Sequence, residues 1–423
     1  MVSGHFLSSR GGVTPGVFSF LNGQIEDETE LAARSRRSAK ALTYGSYNMN
    51  EMVKGLKEIV VREGMWQPTK VDEFVVKSVD FTTFNRPRVT GLESKGYDGD
   101  MGRAVSAVPL GLITTVGKVN GQRVAIMDSV VTTKLDVNEP VKHKEALYRE
   151  MHKQLEKNKE PSIMVADAGF RLIDAAKAGV TQFEVRLAKN STFGKTAGKI
   201  PEREGNKGRK PTRHQAEIAR PLARTHGGKE IASTPPDETY RFVAEDGKIV
   251  TVQIWNTLYF LERHLDGISC EKTKQRLRQL PIKVMAFDHP DYEHPLLIGT
   301  FVVSLKPESV YKLYVSRWPV EGVPQAGKYI LSGGGGRQFV HHPTAMQRLP
   351  IFSLLFGSLL KYMAATLPPI RTGFWDRIPK PTYGRLLRHL NKVGIPLSGQ
   401  LSKKESVTNH LPVGYEAIRL ARG

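Results

Sequence analysis

The chain has one cysteine, Cys270, in 423 residues. That excludes an intramolecular disulfide and any Cys-rich zinc site, and it fits a reducing compartment. Long apolar runs are also missing. The most apolar stretch, residues 349–367, is interrupted by Ser353, Ser358 and Lys361, so it reads as a buried helix rather than a membrane span. Residues 1–12 are polar and rich in Gly and Ser, without the apolar run of a signal peptide. No internal repeat is present. Acidic residues are in deficit: 62 Lys and Arg face 42 Asp and Glu, a net charge of +20. A charge of that size does not help a compact fold and points to a polyanion, first of all nucleic acid. The expected location is the cytoplasm, associated with the nucleoid.

A hydrophobic content of 39% and a charged content of 25% are those of a globular chain long enough for two or more domains. Residues 26–64 read as two helices joined by a turn at Gly45, Ser46 and Asn48. Arg34, Arg36, Arg37 and Lys40 sit on the first. The pair fits a helix-turn-helix module and equally an ordinary basic helix pair. Residues 74–84 read as a strand. Two apolar segments around Lys118-Val-Asn120-Gly121 read as a hairpin. Then follow an amphipathic helix over 143–159, a short buried strand ending at Asp167-Ala-Gly169, another helix and another strand. This is a mixed α/β layer pattern.

Residues 189–229 differ, with eleven Lys or Arg against three Glu and few large apolar side chains. Lys195, Lys199, Arg203, Lys207, Arg209, Lys210 and Arg213 form the densest cationic run, suited to phosphate contact. Residues 239–303 return to strand-like runs. Gly333 to Gly336 read as a hinge, an apolar helix follows, and the tail is basic again.

Three carboxylates stand out: Asp80 in a strand, Asp167 at a strand end and Glu321 in the segment Tyr314-Val-Ser-Arg317-Trp318-Pro-Val-Glu321. Hard oxygen donors of this kind suit Mg²⁺ or Mn²⁺, and two such ions support an in-line phosphoryl transfer. On one straight helix, Tyr314, Arg317, Glu321 and Lys328 fall within an arc of about 60°. Pro319 suggests that the helix starts near Arg317, and Pro324 is placed to kink it before Lys328. Asp128 rivals Asp80 as first ligand. Topology favours Asp80, because only it leaves room for the hairpin before Asp167. Trp318 and Trp375 are candidates for stacking on a base, Trp255 reads as core, and His341-His342 reads as structural or DNA-facing.

The order Tyr-x2-Arg-x3-Glu-x6-Lys, carried by Tyr314, Arg317, Glu321 and Lys328, resembles the signature of the DDE transposases of the insertion-sequence-four group. Asp80-Phe-Thr82 and Asp167-Ala-Gly169-Phe170 resemble the family's first and second aspartate motifs, although Ala168 stands where an arginine is common. The resemblance covers roughly residues 70–390. It implies an α/β fold: a ribonuclease-H-like catalytic core interrupted by a β-rich insertion, with helical N-terminal and C-terminal regions. The expected segments are 1–70, helical and DNA-binding; 71–190, first part of the core; 191–300, basic β-rich insertion; 301–370, second part of the core; and 371–423, basic tail. It further implies that Asp80, Asp167 and Glu321 are the catalytic residues and hold two Mg²⁺ or Mn²⁺ ions. Tyr314, Arg317, Trp318 and Lys328, with Lys195, Arg209, Lys210 and Arg213, would contact double-stranded DNA. The implied reaction is cleavage at the element's ends and joining of the 3′-hydroxyl to target DNA, by a homodimer in the synaptic complex of a bacterial or archaeal cell.

Overall fold

The computed structural model describes residues 5, 13–22, 24–89, 92, 94–99, 101–132, 143–198, 217–332 and 340–393. The chain is mixed α/β, its helices interspersed with the strands of a large mixed sheet. It begins with α1 (Val13–Leu21), α2 (Glu28–Tyr44) and α3 (Met49–Glu63). Next come β1 (Phe74–Asn85), β2 (Lys95–Asp98), β3 (Arg103–Val119) and β4 (Gln122–Val131). Helices and strands then alternate: α4 (His143–Lys157), β5 (Ser162–Ala166), α5 (Leu172–Lys177) and β6 (Phe183–Arg186). After these come β7 (Glu238–Val243), β8 (Ile249–Leu258), α6 (Glu271–Gln279), β9 (Ile282–Asp288) and β10 (Leu296–Thr300). The last elements are α7 (Pro307–Ser316), α8 (Gly322–Ser332), α9 (Pro343–Thr366) and α10 (Tyr383–Val393). The chain divides into two compact units, residues 1–69, 80–146 and 318–423 in the first and 70–79 and 147–317 in the second.

In the first unit, Asp27 caps α2 by accepting from the Thr29 amide at 2.8 Å, and Asn48 caps α3 through the Asn50 amide at 2.9 Å. Both side chains satisfy amides that a helix start leaves without partners. Gly64 ends α3 at φ 74, in the left-handed region. Val53, Leu56 and Val60 recur at helical spacing and are buried, which turns α3 onto β4 and α9. Arg34, Arg36, Arg37 and Lys40 are exposed on α2. The β3–β4 hairpin turns through Asn120 at φ 48 and Gly121 at φ 76, two consecutive left-handed residues that match the twist of the paired strands. The apolar stretch becomes α9, whose polar residues find partners: Ser358 Oγ donates to Ala125 O, and Tyr362 Oη donates to Glu63 at 2.6 Å. Among the described residues α9 alone is long and apolar enough to cross a membrane, but most of it is buried in this unit. It packs backbone to backbone on α8. A side-chain carbon added at Gly357 would lie 2.6 Å from the Gly327 nitrogen.

In the second unit the first half of β1 runs parallel to β5, with Val75 opposite Ser162 and Ser78 opposite Val165. Strand β5 runs parallel to β6, Met164 opposite Phe183. From β6 the sheet continues antiparallel through β10, β9, β8 and β7. All five residues of β5 are buried, the continuous apolar run of a strand covered on both faces. Strand β7 is largely exposed and ends the series. Lys77 is buried, and its ammonium donates to Gln154 of α4 at 3.3 Å.

Candidate nucleic-acid and metal site

The first unit carries Asp80, Trp318, Glu321 and Lys328, and the second carries Asp167, Tyr314 and Arg317. Asp80 is half-buried on β1, where its Oδ1 accepts from the Phe81 amide at 2.8 Å. Alternation along a strand puts Phe84 on the same face as Asp80. The Lys328 ammonium of α8 lies 5.7 Å from the centre of the Phe84 ring. Burial pulls that ammonium below the usual lysine range, and the Asp80 carboxylate works against the shift. The last residue of the signature therefore lies over the face of β1 that carries Asp80, although the two are far apart in sequence.

The signature segment is not one straight helix. Helix α7 ends at Ser316, a 3-10 turn occupies Trp318–Val320, and α8 begins at Gly322. Pro319 lies in the turn and Pro324 in the first turn of α8, where a missing amide leaves no helical bond unmade. The expected kink before Lys328 is absent, and the break falls ahead of Glu321 instead. Glu321 is exposed, and its carbonyl accepts from the Gln325 amide at 3.3 Å. Trp318 is 50% exposed.

In the second unit Asp167 is the first residue after β5 and is half-buried. Its Oδ1 accepts from the Gly169 amide at 2.9 Å, and Ala168 beside it is exposed. The turn is tied to α4 by Tyr148, whose hydroxyl accepts from the Arg171 amide at 3.0 Å and whose ring meets Phe170 edge-on. Burial pushes the Tyr148 phenol up to about 12, with Asp167 adding in the same direction. Tyr314 on α7 and Arg317, the residue that caps its C-terminus, are each 3% exposed and pair with the guanidinium 5.6 Å from the ring centre. Both are buried rather than displayed on the surface. Lys195 is exposed. Arg209, Lys210 and Arg213, with Lys199, Arg203 and Lys207, lie outside the described residues, as do Gly333 to Gly336.

Among the remaining candidates, Asp128, Trp255 and His342 have partners within the protein. Asp128 is paired with Lys57 and accepts from Thr115 Oγ1 at 2.6 Å. Trp255 is buried, its indole donating to Pro235 O at 3.1 Å. Trp375 is exposed. His341 is exposed, and His342 precedes α9 and meets the Tyr44 ring edge-on.

Two further features arise only from long-range packing. Asp246, His289 and Asp291 converge with metal-ligand spacing. Both ring nitrogens of His289 are committed, Nε2 to Asp246 at 3.2 Å and Nδ1 to the Asp291 amide at 3.1 Å. Lys248 pairs with Asp291 in the same corner and supplies the positive charge. The sequence signal was Asp-Gly-Lys on one side and His-Pro-Asp on the other, 43 residues apart. The second feature is Glu184 on β6. It is fully buried, with neither carboxyl oxygen hydrogen-bonded among the described residues, and burial holds it far above the usual carboxylate range. No protein-family model and no curated protein matches this chain.

Proposed function

We propose that the protein is a divalent-metal-dependent DNA transposase of the DDE type, with a ribonuclease-H-like core in which Asp80, Asp167 and Glu321 hold two Mg²⁺ or Mn²⁺ ions. The observation that carries the reading is the meeting of Lys328 with the Asp80 face of β1. It brings together two motifs that a chance sequence match has no reason to join. Further support comes from the succession of β1, an antiparallel hairpin, α4, β5, α5 and β6, a mixed α/β order.

The donors fit the ions. All three are hard carboxylate oxygens that reach solvent in part. The ions would activate the attacking water or 3′-hydroxyl and stabilise the leaving oxygen. Asp80 and Asp167 are each oriented by a backbone amide. Glu321 is displayed at the start of α8, and Lys328 offers a cation for a phosphate. Trp318 is exposed where it can stack on an unpaired base. The net charge of +20 supports a double-stranded DNA partner, and joining two ends calls for a dimer on DNA.

The test uses purified full-length protein and a supercoiled plasmid carrying the gene with its flanking DNA. The reading predicts Mg²⁺-dependent breaks at inverted repeats beside the gene and products joined to a second plasmid. Breaks without joined products identify a nuclease. Binding without breaks identifies a non-cutting DNA-binding protein.

A further inference from the structure

Helix α9 is apolar over most of its length, and its neighbouring polar side chains are accounted for by Ala125 and Glu63. Lys361 is different. It is half-buried, and among the described residues no hydrogen bond or ion pair reaches its ammonium. Desolvation alone pulls it below the usual lysine range, with no carboxylate opposing. A charge removed from water without a counter-ion is costly, so its retention needs a reason.

Its position supplies one. A side-chain carbon built at Gly322 would lie 1.6 Å from Lys361 Nζ. The ammonium therefore occupies the space that any other residue at 322 would fill, at the residue that follows Glu321 in the chain. Lys328, on the same helix α8, feels Asp80. Two partly desolvated ammonium groups thus stand at α8, Lys361 against its first residue, Gly322, and Lys328 over the face of β1 that carries Asp80. A phosphate oxygen neutralises such an ammonium, and metal ions and a lysine commonly share one phosphoryl group.

We propose that Lys361 is a further DNA-contacting residue of the site, its ammonium binding a phosphate of the strand on which Glu321 acts. The assignment rests on the transposase reading and concerns a residue outside the four-residue signature. Gly322 belongs to it as the gap that admits the ammonium.

The experiment compares wild type, Lys361→Gln, Lys361→Arg and Gly322→Ala as full-length proteins on a duplex copied from the inverted repeat flanking the gene. Three quantities are read: the single-turnover cleavage rate in Mg²⁺, the dependence of binding on KCl concentration, and the thermal midpoint. Lys361→Gln should cut about 10²-fold more slowly and lose about 0.9 from the slope of log K against log salt, the signature of one phosphate contact. Its midpoint should equal or exceed that of wild type. Lys361→Arg should keep the slope. Gly322→Ala, which displaces the ammonium without removing it, should lose the slope as Lys361→Gln does. Wild-type cleavage and slope in Lys361→Gln overturn the proposal. So do an unchanged slope in Gly322→Ala and a lowered midpoint with unchanged slope in both Lys361 variants, which marks a packing role. If wild type binds the duplex but does not cut it, the transposase reading fails, and the slopes alone decide whether Lys361 meets phosphate.

Discussion

At Glu184, strand β6 carries a carboxyl between Phe183 and Val185, with Val165 and Thr300 opposite it on the neighbouring strands. Fully buried, it stays protonated because ionisation would put a charge where neither water nor a donor reaches it. The native state then holds a proton that the unfolded chain releases above the ordinary carboxyl value of 4.5. The unfolded state binds fewer protons in that window, so stability falls as pH rises. This contribution is whole below 4.5 and is lost as pH climbs through the raised native value. The slope attributable to this one group is at most about 1.4 kcal/mol per pH unit. Glu184→Met should remove that slope and raise stability by about 1–3 kcal/mol near neutral pH. Denaturant melts of both proteins at pH 5, 6, 7 and 8 measure it, and parallel pH profiles would refute it. The sequence did not reveal Glu184, because Phe-Glu-Val-Arg reads as a half-exposed strand with its glutamate in water. Only the arrival of β5 and β10 on both sides buries it. Asp128 was legible only as an alternative, since Lys57, which occupies it, comes from α3, 71 residues away.

At the scale of elements, local signals carried far. The caps Asp27 and Asn48, the Asn120-Gly121 turn, the amphipathic run of α4 and the apolar run of β5 appear where side-chain chemistry dictates them. The spacing of the signature segment suggests one helix, but the segment is two helices joined by a 3-10 turn. Pro319 has no amide to give an α-helix, so α7 stops and α8 restarts behind it. The periodicity that seemed to align Tyr314 with Lys328 is divided between two elements. Pro324 in the first turn of α8 should be dispensable: Pro324→Ala is expected to change stability by less than about 1 kcal/mol. The contact between α8 and α9 was invisible in sequence because Gly327 and Gly357 are set by long-range packing. Gly357→Leu must force the two backbones apart and should cost about 3 kcal/mol or more. Circular-dichroism melts of the two variants test the pair. A stable Gly357→Leu would mean that the helices do not approach as closely as described.

For the whole molecule, the excess of 20 positive charges supports the proposed polyanionic partner. Binding to a random 40-base-pair duplex should weaken steeply with salt. Six to ten phosphate contacts correspond to a loss of about 10³–10⁵ in affinity between 50 and 200 mM. Fluorescence anisotropy of a labelled duplex reads this, and a salt-insensitive affinity would remove the polyanion from the account. The α/β class was legible from the alternation of apolar periods. The division into two units was not, because β1 passes from one to the other without a break in sequence character. The proposed function requires Asp80, Asp167 and Glu321 to carry the chemistry together. It is tested most directly by measuring cleavage and binding side by side for Asp80→Asn, Asp167→Asn and Glu321→Gln on the flanking-repeat duplex in Mg²⁺. Each variant should lose cleavage by about 10³-fold or more while binding the duplex within a few-fold of wild type. Cleavage at the wild-type rate by any one of the three would contradict it.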